Sequence, residues 1–285
     1  MGEVRDRSDP VKAAYETPDD YEVRVRTHEL YSVVKQGWPE WLIEQMPRAG
    51  VRSVLDLGCG TGGLLRLIAA AGIGSRWLGM DQSQAMVQKA QRLADEAGLP
   101  IEYRCGDILD PSGNEGEFDL VCACRVIYHM ADIDAAIGQC VRRLAPGGTF
   151  VATTNSRDTM FPYFEAVWCA LRERFPQIKL DSSPVPRFSL ENGAEFLMRH
   201  FDRIELRVRR DALRFRSPTP WAAYLKSGRH LRMPEGHTDE EWTEVSRMID
   251  RTAAEQFTEE VLVVPKLGGT FLCSMPCQDR SSRAR

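Results

Sequence analysis

The feature that most constrains this chain is a glycine-rich segment, Gly58-Cys59-Gly60-Thr61-Gly62-Gly63, directly after the short apolar run 53–57. Gly58, Gly60 and Gly63 satisfy the spacing G-x-G-x-x-G, and an apolar helical pattern follows from Leu64. Glycines at this spacing let a strand turn sharply into a helix whose first turn can approach a ligand closely. The segment therefore predicts the first βα unit of a parallel sheet, with a ligand site at its edge.

Six further strand patterns follow the loop, at 76–80, 101–105, 118–124, 149–154, 203–210 and 270–275. Helical patterns lie between them, at 83–97, 133–144, 163–175, 190–199, 220–226 and 239–257. Strands that alternate with helices at this spacing indicate βαβ units. The sequence therefore predicts an α/β fold, a Rossmann-like doubly wound sheet of seven mostly parallel strands with helical cap insertions.

The residue pattern changes along the chain and suggests five segments. We expect an N-terminal helical cap over 1–49, a ligand-binding Rossmann core over 50–154 and a helical substrate-cap insertion over 155–202. The segment 203–276 holds the last two strands with a helical insertion between them. The tail 277–285 is expected to be disordered.

Composition narrows the class of protein. The formal net charge of −4 over 285 residues argues against a general nucleic-acid binder, which carries a basic excess. No apolar run approaches the roughly 20 residues that span a bilayer, and the first residues lack the apolar segment of a signal peptide. No motif with metal-ligand spacing is present, and several of the eight cysteines lie in strand patterns. We expect a cytoplasmic protein without a metal site.

Three aspartates follow or end predicted strands, where a doubly wound sheet binds its ligand. The glycine loop alone permits NAD, FAD or S-adenosylmethionine (SAM). Asp56, two residues before the first glycine, would repel a pyrophosphate but suits a ligand with cationic groups; alternatively it only ties down the loop. Asp81 is placed to accept from both ribose hydroxyls, or else caps the following helix. Asp107 is placed to accept from an adenine amine, or else caps a turn.

The segment Val54-Leu55-Asp56-Leu57-Gly58-Cys59-Gly60-Thr61-Gly62 resembles motif I of the class I SAM-dependent methyltransferases. Later segments resemble the following motifs in order, namely Gly79-Met80-Asp81-Gln82-Ser83, Gly106-Asp107-Ile108, Phe118-Asp119-Leu120-Val121 and Leu144-Ala145-Pro146-Gly147-Gly148. The group is similar to the ubiquinone/menaquinone-biosynthesis-type and related small-molecule methyltransferases. The resemblance covers about 50–154. More weakly, Arg26–Ser32 resembles the N-terminal helix that closes over SAM in such enzymes.

The resemblance implies a set of cofactor-binding residues. Gly58 and Gly60 would approach the methionine part of SAM, and Asp81 would hold the ribose. The adenine would lie between Gln82 on one side and Asp107 and Ile108 on the other. The remaining members of the implied set are Asp56, Cys59, Met86, Arg125, at the methionine end or the substrate mouth, and Tyr31 in the N-terminal helix.

Methyl transfer is an in-line displacement at an activated carbon, so the protein chiefly aligns donor and acceptor and deprotonates the acceptor where needed. His129, beside Tyr128 after the fourth strand, is a candidate general base, and His28 is a weaker one; each is otherwise a packed or surface histidine. Candidate substrate-binding residues are Tyr21, Asn155, Phe161, Tyr163 and Phe164. The aromatic members alternatively only pack the cap onto the sheet.

We therefore expect a methyltransferase that modifies an O, N, S or C nucleophile of a small molecule, releases S-adenosylhomocysteine and acts in specialised metabolism. One alternative is a SAM-using enzyme of the same fold without methyl transfer, such as an intramolecular cyclase. Another is a nicotinamide oxidoreductase, which only the glycine spacing favours. The expected partner is a small molecule, with neither nucleic acid nor membrane, and the chain is a monomer or a homodimer.

Overall fold

The computed structural model describes residues 18–110, 116–178, 187–234 and 236–276. The chain divides into two compact units. The sheet unit comprises Gln36–Ser156, Pro186–Val208 and Gly268–Arg285, and the helical unit comprises Met1–Lys35, Arg157–Val185 and Arg209–Leu267. The predicted core over 50–154 lies inside the sheet unit.

A seven-stranded sheet is the main feature of the fold, in the order β3-β2-β1-β4-β5-β7-β6. Its strands are β1 (Ser53–Leu57), β2 (Arg76–Asp81), β3 (Glu102–Cys105), β4 (Phe118–Cys124), β5 (Leu144–Asn155), β6 (Phe201–Phe215) and β7 (Leu262–Pro276). The pairs β1–β2, β1–β4, β2–β3 and β4–β5 are parallel, whereas β5–β7 is antiparallel. The predicted Rossmann-like sheet of seven mostly parallel strands is confirmed.

Burial on both faces explains why the central strands read as continuous apolar runs. Val54, Leu55 and Leu57 of β1 have no exposed surface, and the same holds for Leu120 and Val121 of β4. Two apolar clusters, one on each side, pack these strands against the surrounding helices. A sheet buried in this way places its ligand-binding residues at the carboxyl ends of the strands, where the chain leaves the core.

The helices of the sheet unit are α2 (Trp38–Gln45), α3 (Gly63–Ala70), α4 (Gln84–Glu96), α5 (Ile133–Arg142) and α7 (Gly193–Leu197), with a 3-10 turn at Ile127–His129. Those of the helical unit are α1 (Pro18–Tyr31), α6 (Phe161–Arg174), α8 (Pro218–Lys226), α9 (Arg229–Arg232) and α10 (Asp239–Glu255). No helix among the described residues has the length and apolar character that a bilayer span requires.

Several element boundaries differ from the sequence predictions. The predicted helix 133–144 ends at Arg142, because β5 begins at Leu144 rather than at 149. The Pro146-Gly147-Gly148 segment is therefore part of the strand, and a register shift opposite Phe118–Leu120 accommodates it. The predicted helix 190–199 is only Gly193–Leu197.

The last two strands are much longer than predicted. They cover Phe201–Phe215 and Leu262–Pro276, where the sequence indicated 203–210 and 270–275. Each strand continues beyond the sheet unit, and those extensions belong to the helical unit. Their pattern escaped detection because only part of each strand alternates between an apolar and a polar face.

The helical unit has an apolar core of its own. Helices α6, α8 and α10 pack around the fully buried indole of Trp221. The capping box of α10, in which Thr238 and Glu241 bond each other's backbone, fixes where that helix begins. The unit therefore has the buried apolar centre that defines an independent layer of structure.

Candidate active site

The glycine loop after β1 is held by backbone hydrogen bonds to β2. The amides of Gly58 and Cys59 both donate to the carbonyl of Met80, at 2.7 Å and 3.0 Å. Gly58 has φ +71°, and a Cβ there would lie 2.6 Å from the side chain of Val126. Gly60 has φ +54°, yet a Cβ there would meet no atom within 4 Å. The space above Gly60 is therefore open for a ligand, while Gly58 is needed for packing.

A tyrosine that the sequence reading did not select supports the same loop. The ring of Tyr103, on β3, lies where Cβ atoms on Gly62 and Gly79 would be, at 2.3 Å and 2.4 Å, and its hydroxyl donates to the Gly62 carbonyl at 3.2 Å. The third glycine of the motif, Gly63, has open space around it. Close packing therefore depends on Gly62 and Gly79, which only the positions of the neighbouring strands reveal.

Asp81, the last residue of β2, is bonded to the glycine loop and to the next helix. Its Oδ2 accepts from the Gly60 amide at 2.8 Å, and its Oδ1 accepts from the Ser83 amide at 2.9 Å. Ser83 itself is the N-cap of α4, because its hydroxyl accepts from the amide of Met86. A carboxylate has about four acceptor positions, so these two bonds leave room for two hydroxyl donors.

Asp56 lies within β1 and is 2% exposed. Its Oδ1 is buried and has no hydrogen-bond partner among the described residues. Burial, and then the negative charge of Asp81, raise the pKa of the Asp56 carboxyl to about 7. Burial and the same two carboxylates also raise the pKa of the Cys59 thiol well above its ordinary value. A buried acceptor without a donor is costly, so this site favours a ligand that brings a donor or a positive charge.

The predicted adenine-side residues lie at the ends of β2 and β3. Gln82 and Asp107 are exposed, Met86 is half-buried in the first turn of α4, and Ile108 is 6% exposed and belongs to the apolar core. Asp107 Oδ1 accepts from the Leu109 amide at 2.9 Å, which is the turn-capping arrangement. The Oδ1 of Asp107 is therefore occupied locally by the turn.

Arg125, directly after β4, has a left-handed backbone with φ +58°. Its amide donates to the Thr153 carbonyl at 3.1 Å, and its guanidinium lies 4.7 Å from the ring centre of Trp38. Left-handed non-glycine residues are uncommon and concentrate at functional sites. Trp38 is a second residue that the sequence reading did not connect with the site.

The two candidate residues for proton transfer in the sheet unit share the 3-10 turn Ile127–His129 that follows Arg125. The rings of Tyr128 and His129 are 4.4 Å apart, and both side chains are half-buried. Asn155 ends β5, where its carbonyl accepts from the Leu190 amide at 3.1 Å. These residues and the glycine loop all follow carboxyl ends of parallel strands, which meet at one edge of a sheet.

The other predicted site residues belong to the helical unit. His28 Nε2 lies 3.1 Å from the hydroxyl of Tyr224, and Tyr31 stacks on Phe215 with 4.7 Å between ring centres. Tyr163 is 8% exposed and packs against Tyr224, so it belongs to the core of this unit. Phe164 is half-buried, and Phe161 is 53% exposed. Tyr21 lies in α1, but its side chain is outside the described residues.

Comparison with known proteins agrees with this geometry. Residues 54–148 match a family model described as a methyltransferase domain. Proteins called ubiquinone biosynthesis O-methyltransferase from Rhodopseudomonas palustris (strain HaA2) and Chelativorans sp. (strain BNC1) are 36% and 40% identical over 110 and 111 residues. The matches cover 39% and 38% of this chain and 42% of each relative. The chain therefore spans less than half of the length of these curated relatives.

Solved structures with the same fold include the YcgJ protein from Bacillus subtilis, with a TM-score of 0.56 and 15% identity, covering 84% of this chain and 98% of that one. The [4+2]-cyclase SpnF matches with a TM-score of 0.53 at 15% identity, and the match covers 92% of this chain and 97% of the SpnF chain. The plantazolicin methyltransferase BpumL was solved with a triazolic desmethylPZN analog and SAH. It matches with a TM-score of 0.50 at 12% identity, and the match covers 93% of this chain and 96% of BpumL. At such identities the likeness concerns the fold alone.

Proposed function

We propose that this chain, whose residues 54–148 form a methyltransferase domain of the class I SAM-dependent family, transfers a methyl group from SAM to a small molecule. The acceptor is an O, N, S or C nucleophile, and the second product is S-adenosylhomocysteine. The observation that carries this proposal is a pair of carboxyl groups at the glycine loop: Asp81, which accepts from the Gly60 amide, and the buried Asp56, whose Oδ1 has no hydrogen-bond partner among the described residues.

The residues at the glycine loop fit SAM better than they fit a dinucleotide. SAM, when bound, supplies an electrophilic methyl group on a sulfonium and carries an ammonium but no phosphate. Asp81 retains acceptor positions for two ribose hydroxyls after bonding Gly60 and Ser83. The buried Asp56 would repel a pyrophosphate, whereas a cationic ligand lowers the cost of ionising it. These features favour SAM over NAD or FAD.

The acceptor must lose a proton before or during attack if it is a hydroxyl, and the relatives at this domain are named O-methyltransferases. His129 is our candidate acceptor of that proton, because it lies in a turn after β4 and an imidazole side chain can accept a proton near neutral pH. Tyr128, whose ring contacts His129, is assigned to positioning it. Arg125 and Asn155 are proposed to border the acceptor from the ends of β4 and β5.

The decisive test uses SAM labelled in its methyl group, incubated with the protein and a metabolite extract of the source organism. Mass spectrometry should find the label in a small molecule, with S-adenosylhomocysteine released in equal amount. The control is the Asp81→Ala variant, which should produce neither.

The same fold also occurs in a [4+2]-cyclase, which makes the fate of the label the discriminating readout. SAM that binds but stays intact while a metabolite changes would move the assignment to a SAM-dependent enzyme without methyl transfer. Methylthioadenosine in place of S-adenosylhomocysteine would likewise contradict methyl transfer. Failure of SAM to bind would favour the alternative that the protein is a nicotinamide oxidoreductase.

A further inference from the structure

The seven-stranded sheet ends at β6, which has β7 on one side and no described strand on the other. A Cβ on Gly269 of β7 would lie 2.5 Å from the carbonyl oxygen of Arg207, so that carbonyl points towards β7. Successive residues of a strand direct their backbone N–H and C=O groups to opposite edges, so those of Ile204, Leu206 and Val208 point to the outer edge. This part of β6 therefore presents backbone donors and acceptors to which another strand can bond.

One face of the same part of β6 exposes apolar side chains. Leu206 and Val208 are 40% and 45% exposed, and Ile204, on the same face, is half-buried against the apolar core of the sheet unit. The strand contains neither proline nor lysine, residues that commonly prevent an edge strand from pairing. The bridge between Ser32 and Leu213 lies beyond Val208, in the part of β6 that belongs to the helical unit. Segment 204–208 therefore has the apolar character of a strand that pairs with another.

The opposite face of segment 204–208 carries one charge of each sign. Arg207 and Glu205 form an ion pair, and their side chains are 49% and 43% exposed. Two copies of β6 that are related by a two-fold axis run antiparallel. If Leu206 lies opposite the partner's Leu206, then Glu205 faces the partner's Arg207 and Ile204 faces the partner's Val208. Each carboxylate then lies between two guanidinium groups, and the apolar face continues from one copy to the other.

The charges select this register over its neighbours. A pair centred on position 205 would place Glu205 opposite the partner's Glu205, and a pair centred on position 207 would place two Arg207 side chains together. Like charges directly opposite each other are destabilising. The backbone agrees with a centre at Leu206, because that residue directs its N–H and C=O groups outwards and can exchange both hydrogen bonds with its copy.

The pairs further from the centre are compatible with the same register. Asp202 faces the partner's Arg210, which again places opposite charges together. Arg203 faces the partner's Arg209, but the side chain of Arg209 is only 7% exposed and lies within its own subunit. The complementarity of β6 to itself therefore extends beyond segment 204–208.

We propose that β6 pairs antiparallel with β6 of a second copy of this chain, with Leu206 at the two-fold axis. One continuous sheet then runs across a homodimer, and the same residues serve both sides of a closed interface. A single pair of strand segments is small beside the roughly 1,600 Å² that stable complexes bury. The dimer is therefore expected to exchange with the monomer at micromolar concentrations.

The test is sedimentation equilibrium of the full chain in the absence of SAM. Wild type should form a dimer as its concentration rises through the micromolar range. Glu205→Arg should raise the dimer dissociation constant at least roughly tenfold, because it sets like charges opposite each other at two symmetrical places. The double variant Glu205→Arg/Arg207→Glu exchanges the two charges and should restore the wild-type constant.

Glu102→Arg is the matched control for the charge change. Glu102 forms the corresponding exposed ion pair with Arg104 on β3, the strand at the opposite edge of the sheet. This variant should leave the dimer dissociation constant unchanged. A monomer throughout the concentration series, a wild-type constant for Glu205→Arg, or a double variant no better than the single one would each overturn the proposal. Thermal denaturation of each variant separates lost pairing from lost folding.

A cysteine at the two-fold axis tests the register directly. Residues opposite each other in a hydrogen-bonded antiparallel pair have Cα atoms about 5.5 Å apart, a spacing that a disulfide can bridge. Leu206→Cys should therefore give more covalent dimer on oxidation than wild type, which has exposed thiols at Cys105 and Cys169. Met198→Cys, at a residue of the sheet unit that is 60% exposed and precedes β6, should not. Cross-linking of Leu206→Cys at the wild-type level would overturn the register. No assay contains SAM, so these outcomes are separate from those that test methyl transfer.

Discussion

The sheet unit and the helical unit each bury an aspartate, and the two carboxyl groups behave in opposite ways. Asp56 in β1 has an oxygen without a donor among the described residues, and burial, followed by the charge of Asp81, raises the pKa of its carboxyl to about 7. Burial alone would also raise the pKa of Asp211 in β6. Hydrogen bonds, led by that from Lys266 Nζ, instead lower it to about 2.

The difference lies in what each carboxyl group is bonded to. Asp211 accepts from Lys266 at 2.9 Å, from the hydroxyl of Ser32 at 2.7 Å, and from the amides of Val34 and Ala212 at 3.0 Å and 2.7 Å. The protein itself satisfies Asp211, which ties the segment after α1 to β6 and β7. The Oδ1 of Asp56, by contrast, has no donor in the part of the chain that the structure describes. The comparison teaches that a buried charge with all its partners maintains the fold, whereas one without a partner is available to a ligand.

The largest expected effect concerns which unit supplies the general base. His129→Ala in the sheet unit should lower kcat roughly 10²- to 10⁴-fold with little change in SAM affinity, since general base catalysis is worth that much. His28→Ala in the helical unit should change kcat far less, because His28 already bonds the hydroxyl of Tyr224. Steady-state kinetics on the two variants would measure this. The reverse ranking would move the base into the helical unit.

Removing Asp81 tests whether the sheet unit alone holds the cofactor. Asp81→Ala should weaken SAM binding by roughly 100-fold or more, because it removes the acceptor for the ribose and the anchor of Gly60. Calorimetry with SAM would measure this loss. Asp95→Ala, which removes an exposed carboxylate of α4 that accepts from the Gln91 side chain, is the matched control and should change SAM affinity little. Unchanged SAM affinity in Asp81→Ala would refute the ribose assignment.

Asp211→Ala should destabilise the helical unit without touching the cofactor site. It removes the acceptor of the Val34 amide and one acceptor of Lys266 Nζ, which also donates to the Ser32 hydroxyl, so we expect about 2–3 kcal/mol less free energy of unfolding. Because the folded pKa of Asp211 is lowered, its contribution is complete above about pH 4 and is lost as the pH falls towards about 2. Denaturant titrations at pH 7 and pH 2.5 would show a smaller difference between wild type and variant at the lower pH.

Asp56 predicts a pH dependence of the opposite sign. Its folded pKa is raised, so ionisation in the unfolded chain lowers stability as the pH rises from about 4 to about 7. Asp56→Asn should therefore gain stability relative to wild type, by on the order of 2 kcal/mol, between pH 5 and pH 8. SAM binding to wild type should release a proton near pH 7, which calorimetry in buffers of different ionisation enthalpy would detect. A stability difference independent of pH would contradict the raised pKa.

The smallest expected effect is at Tyr224. Tyr224→Phe removes the hydroxyl that lies 3.1 Å from His28 Nε2 and should cost about 1 kcal/mol of unfolding free energy. The matched change Tyr163→Phe removes a hydroxyl packed against Gly228 from the same aromatic core. A kcat loss in Tyr224→Phe beyond this stability change would reveal that His28 takes part in the chemistry after all.

How much could be read from the sequence differs between the two units. The fold of the sheet unit could be predicted because its signals, namely the glycine loop, the apolar strands and Asp81, are patterns of residues that lie close together in the sequence. Local patterns also located Ser83 near the start of α4 and His129 in the turn after β4. In the helical unit the positions of α6, α8 and α10 were approximately predicted, but their shared core was not.

The amino-acid sequence by itself determined the alternating α/β fold, the glycine loop and the carboxylates at the ends of β1 and β2, because periodicity and turn chemistry are local. Only the tertiary structure decided that Tyr103 supports Gly62 and Gly79, that Trp38 meets Arg125, and that Asp211 joins Ser32 to Lys266. Whether a buried carboxyl group is satisfied depends on donors far away in the chain. No local pattern records such partners, since packing alone brings them within hydrogen-bond distance.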